Sequence, residues 1–173
     1  LKAAIRDDNP VLFYEHIALY RAAHIKQDLP AADDDFVLPI GTAHLKREGT
    51  DVSVITYGAY VHTCLKVAKN LAADSISCEV LDLRTILPLD KNAILASVQK
   101  TGRALIVHED SKTGGLGQSI ASIIAEEAFE YLDAPVRVLG ALDAPVPYSP
   151  PLEQAFLVSA EQITEAARLL VGY

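Results

Sequence analysis

Past residue 51 the apolar positions fall into a regular alternation of strand-length runs and helical stripes. Residues 52–56 and 78–83 are strand candidates and 104–108 is a short apolar run; the last is bounded by Gly102 and a charged turn and is too short for a helix. Between them, Val61, Cys64, Leu65, Ala68, Leu71 and Ala72 recur at helical spacing. Asp90 stands as an N-cap before Ile94, Leu95 and Val98, and that helix stops at Gly102. A glycine-rich turn follows residue 108, and Ile120, Ile123, Ile124, Ala128 and Tyr131 then predict a helix with one apolar stripe. Residues 136–139 are the last strand. Pro145, Pro147, Pro150 and Pro151 predict an extended, non-helical path across the surface. Ser159 with Gln162 forms a capping box for a final helix whose Ile163, Ala166, Ala167 and Leu170 face the core.

Upstream of this alternation, residues 43–47 and 52–56, joined by Glu48-Gly49-Thr50-Asp51, predict an antiparallel hairpin. The architecture expected from the whole pattern is α/β: a three-layer α/β/α sandwich on a mostly parallel, five-stranded sheet with one antiparallel strand. Residues 1–6 look like the end of a helix, Asp7-Asp8-Asn9-Pro10 like a turn, and residues 11–15 like a strand. A lone helix end and strand bury little, so residues 1–20 are expected to close a preceding domain of a longer polypeptide. Residues 21–37, with Pro30 and Asp33-Asp34-Asp35, read as a linker, and the compact domain as residues 38–173. The acidic run is expected to be a solvated surface, because hard-cation loops also need a turn glycine and a distal acid.

Charge narrows the function classes. Lys plus Arg number 15 against 23 acids, a net charge of −8 with no basic cluster, so a nucleic-acid backbone would be repelled. No apolar run approaches the ~20 residues that span a bilayer, and a soluble, cytoplasmic chain is expected. Cys64 and Cys78 have no second thiol or histidine at metal-site spacing and read as small buried hydrophobes.

The chemistry-bearing residues gather after the 104–108 run. His108, Glu109 and the turn Thr113-Gly114-Gly115-Leu116-Gly117 belong at the carboxyl edge of the sheet, where open α/β sheets carry ligands or partners. The glycines read G-G-x-G, and the next strand ends in Gly140 instead of an acid, so the turn departs from a dinucleotide fingerprint. The plainer expectation is that Gly114 and Gly115 let helix and sheet approach closely. His108 and Glu109, adjacent on a strand, point to opposite faces and cannot both address one substrate without a bulge. A structural or subunit-interface role is expected of them, and an ion pair of Arg84, just past a strand end. His62 has no companion ligand on its helix; His16, His24 and His44 fall in segments without an interpretable pattern.

Four stretches read together carry a resemblance: residues 4–10 (A-I-R-D-D-N-P), residues 82–90 (D-L-R-T-I-L-P-L-D), His108-Glu109 followed by Thr113-Gly114-Gly115, and Pro147-Tyr148 with Leu152-Glu153. In this order and spacing they resemble the carboxyl-terminal half of the β subunit, or the β portion of a fused chain, of the thiamine-diphosphate-dependent 2-oxoacid dehydrogenases. From about residue 38 onward the chain resembles the transketolase carboxyl-terminal domain. Residues 1–20 resemble the last helix and strand of the pyrimidine-binding domain before it.

The resemblance implies oxidative decarboxylation of a 2-oxoacid, branched-chain or pyruvate, and acylation of the lipoyl arm of a dihydrolipoyl acyltransferase. It implies an α subunit or α portion and a second β copy as partners. Thiamine diphosphate and magnesium are held by parts of the intact enzyme outside this sequence, so the fragment alone is expected to be inactive and to bind neither. Its implied role is a non-catalytic assembly and docking domain, and the acidic balance suits electrostatic steering toward basic docking modules. By position, Ala4, Ile5, Asp7 and Asn9 correspond to oxygen donors of a structural potassium ion. The site is expected to be incomplete and empty in the fragment; the alternative is an Asn-Pro turn that only ends a helix. Two other readings stay open: the terminal domain of a transketolase-like or deoxyxylulose-phosphate synthase-like enzyme, and an independent small-ligand-binding α/β module using the turn at residues 114–117.

Overall fold

A computed structural model of the protein describes residues 1–26 and 36–173; Pro30 and the Asp33-Asp34-Asp35 run lie outside the described residues. Among those described, five strands form one sheet in the order β1 (His44–Arg47), β3 (Cys78–Asp82), β2 (Val52–Thr56), β4 (Ala104–Ser111), β5 (Arg137–Ala141). All neighbours run parallel except β1, which is antiparallel to β3.

Residue parity on each strand decides which helix it meets. Val52, Val54, Val80, Leu105 and Val107 face α2 (Tyr60–Leu71) and α6 (Ala160–Val171), and pack on Cys64, Ala68, Leu71, Ile163 and Leu170. The alternate positions Ile55, Leu81, Ala104 and Ile106 face α3 (Lys91–Thr101) and α4 (Leu116–Glu127), and pack on Ile94, Val98, Ile120 and Ile124. The sheet is thus buried on both faces: β2 is buried at every position, its Ser53 and Thr56 included, and the first four residues of β4 read as a continuous apolar run. Each fully buried Ile or Leu contributes about 1.5–3 kcal/mol of burial free energy. The three-layer α/β/α expectation is met.

The predicted caps also hold. Asp90 Oδ1 accepts the Ala93 N–H at 3.1 Å, Gly102 closes α3 at φ +68°, and the Ser159/Gln162 capping box is formed in both directions. Cys64 and Cys78 are buried, and burial pushes their thiols up to about 12 and about 11, so both stay protonated.

Four local expectations are corrected. Residues 43–47 and 52–56 are not a hairpin, because β3 lies between β1 and β2. The connecting loop crosses the start of β3: Thr50 and Asp51 N–H both donate to the Ser77 carbonyl, at 3.0 and 2.9 Å, and Asp51 Oδ2 accepts Ser77 N–H at 2.7 Å. Gly49 is required there, since a Cβ would be driven into the Cys78–Glu79 peptide. Residues 11–15 form no strand among the described residues; they have no ladder neighbour, and Leu12 and Tyr14 remain exposed. The helix does not run on to Tyr131: Ala128 leaves helical geometry at φ −130°, a 3-10 turn (Phe129–Tyr131) follows, and Phe129 and Tyr131 are exposed. Pro150 and Pro151 do not extend the chain but open α5 (Pro150–Phe156), where the first helical turn needs no proline N–H.

Candidate functional site

From β2 the chain moves outward to β3 and then returns to β4 on the other side of β2, so the winding reverses between β2 and β4. Their carboxyl ends flank the switch point at which such sheets place ligands. They deliver Thr56, Tyr57 and Gly58 from one strand and His108, Glu109 and Asp110 from the next.

His108 continues the parity of Ala104 and Ile106 and therefore points toward α4. Its side chain is fully buried, its ring stacks on Tyr57 at a centroid distance of 6.4 Å and an interplanar angle of 15°, and neither ring nitrogen has a hydrogen-bond partner among the described residues. The ring rests on the first turn of α4. A Cβ at Gly115 would come within 2.9 Å of His108 Cε1, and one at Gly117 would be driven into Nε2. At Gly117 the imidazole occupies the space a side chain would take, whereas at Gly115 the Ser111 carbonyl is the nearer obstacle and the imidazole the second. Burial pushes the His108 pKa down, against a smaller opposing pull from Asp110, so the ring is held neutral. A neutral ring suits the positive end of a helix.

Glu109 has the opposite parity and is exposed. Its Oε2 lies 3.0 Å from His16 Nε2 of the amino-terminal segment. His108 is thus buried and Glu109 exposed, in a stretch where the pairing of β4 with β5 shifts register between Val107 and Ser111, and the two do not form an acid/base pair. The turn after β4 is tied down from both sides. Thr113 donates its N–H to Asp143 Oδ1 at 3.0 Å and its hydroxyl to Oδ2 at 2.6 Å, bonds that hold the Asp143 carboxyl below the usual carboxylate range. Gly114, at φ +74°, donates its N–H to Gln118 Oε1 at 3.1 Å. Asp143, Tyr57 and His16 escaped sequence reasoning, since nothing local marks a residue 30 or more positions away as a partner.

Arg84 is exposed past β3 in the left-handed region at φ +55°, with its N–H bonded to Asp82 Oδ1 at 3.1 Å. It makes no salt bridge among the described residues; Asp82 instead pairs with Lys46 at 3.8 Å. Ala4 and Ile5 lie in α1 (Lys2–Arg6). Asp7 Oδ1 accepts both the N–H and the Nδ2–H of Asn9, each at 2.9 Å, and these bonds hold the Asp7 carboxyl low. No group of three or more His, Cys, Asp or Glu side chains able to hold a metal occurs among the described residues.

Around the polar centre the carboxyl edge is apolar and open. Ile86 and Leu87 after β3, Leu142, Val146 and Tyr148 after β5, and Leu12, Tyr14 and Ile17 of the amino-terminal segment are all exposed, Tyr148 fully. No helix among the described residues is long and apolar enough to cross a membrane.

The family model described as "Transketolase, C-terminal domain" matches residues 41–163. The chain belongs to that family. It is 48% identical over 174 residues to the 2-oxoisovalerate dehydrogenase subunit beta of Bacillus subtilis (strain 168), covering 100% of this chain and 52% of that protein. It is 43% identical over 173 residues to the pyruvate dehydrogenase E1 component subunit beta of the same organism, with the same coverage. A solved structure described as "Split gene transketolase, inactive beta4 tetramer" aligns with a TM-score of 0.68 at 25% identity, covering 83% of this chain and 46% of that one. The chain thus spans about half the length of the curated relatives it matches.

Proposed function

We propose that this transketolase carboxyl-terminal domain is the assembly and docking part of the β component of a 2-oxoacid dehydrogenase, one that decarboxylates 2-oxoisovalerate or pyruvate and passes the acyl group to a dihydrolipoyl acyltransferase. The observation that carries the reading is the exposed apolar carboxyl edge around Leu87, Leu142 and Tyr148, next to a switch point whose histidine is sealed in. Apolar surface of this kind marks a place where another protein surface belongs. The identity along the whole of this chain to about half the length of β subunits of both substrate classes supports the family of reactions, and the higher value favours the branched-chain substrate.

Residues 1–20 are, in this reading, the end of the pyrimidine-binding domain, joined through residues 21–37 to the domain at 38–173. The partners are an α subunit or α portion and a second β copy, in the cytoplasm. Thiamine diphosphate and magnesium are, in this reading, held by parts of the intact enzyme outside this chain; at the turn, the space beside Gly115 and Gly117 is occupied by the Ser111 carbonyl and the His108 ring. Potassium fits the donor chemistry of the amino-terminal turn. In this reading carbonyls at the end of α1, left without intrahelical partners, together with the Asp7 carboxylate and the Asn9 amide oxygen, supply part of its oxygen donors, the rest coming from outside the chain.

The test uses the full-length β protein with its α partner, thiamine diphosphate and magnesium, assayed on 2-oxoisovalerate and pyruvate. Turnover is expected on one of them. Replacing Leu87 and Tyr148 by serine should weaken assembly in sedimentation without lowering the melting temperature of the domain. Inactivity of the intact pair on both acids would refute the reaction, and unaltered assembly would refute the interface.

A further inference from the structure

A solvated imidazole takes up a proton at about pH 6.5, and the imidazole of His108 is held where it cannot keep one. It is fully buried, and neither ring nitrogen has a hydrogen-bond partner among the described residues. It is also wedged against the start of α4, which has no side-chain cap and whose unpaired N–H groups carry partial positive charge. We propose that His108 is an acid-sensitive wedge: protonation drives the ring out from under α4 and opens the turn at residues 113–118, loosening the apolar segment from Leu142 to Tyr148 to which that turn is tied. The opening stands on the geometry within this chain; only its consequence for assembly rests on the function proposed above.

The turn is the part built to yield. Gly114, Gly115 and Gly117 surround the wedge, Gly114 at φ +74°, so the backbone there moves with little side-chain resistance. The bonds that hold it are exposed ones: Gly114 N–H to Gln118 Oε1 at 3.1 Å, and the N–H and hydroxyl of Thr113 to Asp143 at 3.0 and 2.6 Å. The Thr113 bonds also fasten the segment after β5, in which Leu142, Val146 and Tyr148 are exposed. A change under α4 thus reaches the apolar carboxyl edge through one side chain, Asp143.

The charged and titratable groups around the ring set the sign. Asp110 favours a proton on it: a Cβ at Gly115 would lie 2.9 Å from His108 Cε1 and 3.0 Å from Asp110 Oδ2, so ring and carboxylate are near neighbours. Asp110 is exposed, however, and its Oδ1 accepts the Ser111 N–H at 2.8 Å. Tyr57, stacked on the ring, is kept neutral by burial, with Asp110 and Glu109 adding to the effect. Glu109 is itself exposed and engaged with His16. The first turn of α4 has no acidic residue, Glu127 at its far end pairs with Lys91 of α3, β5 offers only Val138 to this spot, and Lys112 in the turn adds a cation. Burial outweighs the pull of Asp110 and holds the wedged ring neutral. The wedged ring therefore binds fewer protons than a released one, so the closed turn is fully favoured above about pH 6.5 and loses ground as pH falls toward the lower pKa of the wedged ring.

Native-state amide hydrogen exchange of residues 113–118 in the 173-residue chain, corrected for intrinsic rates and repeated at low urea concentrations, reads the opening at about pH 7.5 and about pH 5. Protection should fall severalfold between the two, up to about 30-fold, the limit for a released ring that titrates at about pH 6.5. The fall should depend little on urea, because a local opening exposes little surface. His108→Phe fills the same space without a titrating nitrogen and should leave protection equal at both pH values, whereas Asp110→Asn should keep the fall. Equal protection in the native chain overturns the proposal, as does a fall that survives in His108→Phe, one lost in Asp110→Asn, or one seen only through the urea-dependent global route. Assembly and activity of the intact enzyme play no part in this readout, so failure of the wedge and failure of the functional reading are separable.

Discussion

If Gly117 exists to make room for His108, the two positions must be energetically coupled. Gly117 lies in the first turn of α4, where alanine would ordinarily gain about 0.8–1 kcal/mol in helix propensity. Here the added methyl would be driven into His108 Nε2 and sit only 2.6 Å from its Cδ2 and 2.7 Å from Val138 Cγ1. Ordinary contacts begin near 3.4 Å, so ring and helix must part by about 1 Å, and overpacking of that order costs about 1–3 kcal/mol. The balance for Gly117→Ala is a net loss of up to about 2 kcal/mol, as much as roughly 4–8 °C in melting temperature for a chain of this size. In a His108→Ala background the two ring contacts vanish and only Val138 remains. The same substitution should then be close to neutral, a coupling of up to about 2 kcal/mol. Urea unfolding of the four proteins of this cycle, followed by far-ultraviolet circular dichroism, measures it. If Gly117→Ala costs the same with and without the imidazole, the glycine serves something other than His108, and the small-ligand reading of the turn regains its footing.

The protonation state of His108 gives a second prediction. Its folded pKa is depressed and its unfolded value is near ~6.5, so the folded form binds fewer protons below that point; stability is full above about pH 6.5 and is lost as pH falls toward the folded value, by up to ~1.4 kcal/mol per unit. His108→Phe should flatten this part of the pH–stability curve relative to the native chain, and an unchanged slope between pH 6.5 and 5 would contradict the assignment. Asp90→Ala should cost about 2–3 kcal/mol, more than a simple cap, because Oδ1 caps α3 while Oδ2 accepts Ala43 N–H at 2.9 Å; chemical denaturation measures it, and a loss under about 1 kcal/mol would show that Ala43 finds water instead. Lys100→Ala should cost about 3 kcal/mol or more in the same assay, since it strands the buried Glu79 carboxylate without its ion-pair partner; Glu79→Gln in the same background should recover part of the loss.

How far the fold was legible depended on whether the signal was local. Helix starts and stops were readable because caps are chemistry within four residues: Asp90, Gly102 and the Ser159/Gln162 box each act on their own helix. The parallel core was readable because strands covered on both faces leave continuous apolar runs. Strand order was not. The sequence between residues 47 and 52 looks like a hairpin turn, yet the partners of Thr50 and Asp51 sit at Ser77, and only the tertiary path reveals that β3 intervenes. Tyr131 kept helical spacing but missed the core because Ala128 turns the chain so that Asp133 N–H can meet the Gly102 carbonyl at 2.7 Å. At the candidate site strand alternation pointed to a separation of His108 from Glu109, and the two differ in burial as expected even though the β4–β5 register shifts between Val107 and Ser111. The partners of that site, Tyr57, Asp143 and His16, come from three other segments, and no pattern along the chain points to them.

The two ends of the sheet differ in a way that bears on function. At the amino edge several polar groups find partners within the chain: Ser53 Oγ bonds Ser97 Oγ at 2.6 Å and Thr101 Oγ1 at 2.8 Å, and Arg103 bridges the Leu170 carbonyl at 2.9 Å and Asp133 at 3.5 Å. At the carboxyl edge the polar turn is tied down by Asp143 and Gln118, but the side chains around it, from Leu87 to Tyr148, remain in water at a cost of tens of calories per Å² of apolar surface. A rigid turn surrounded by uncovered apolar side chains is preorganised for a protein surface and ill suited to a small charged ligand, which would find its place under the turn already taken by His108. On the proposed reading this asymmetry favours assembly through the carboxyl edge, where the His108 ring fills the space beside the first turn of α4 and helps to fix the helix and turn in place.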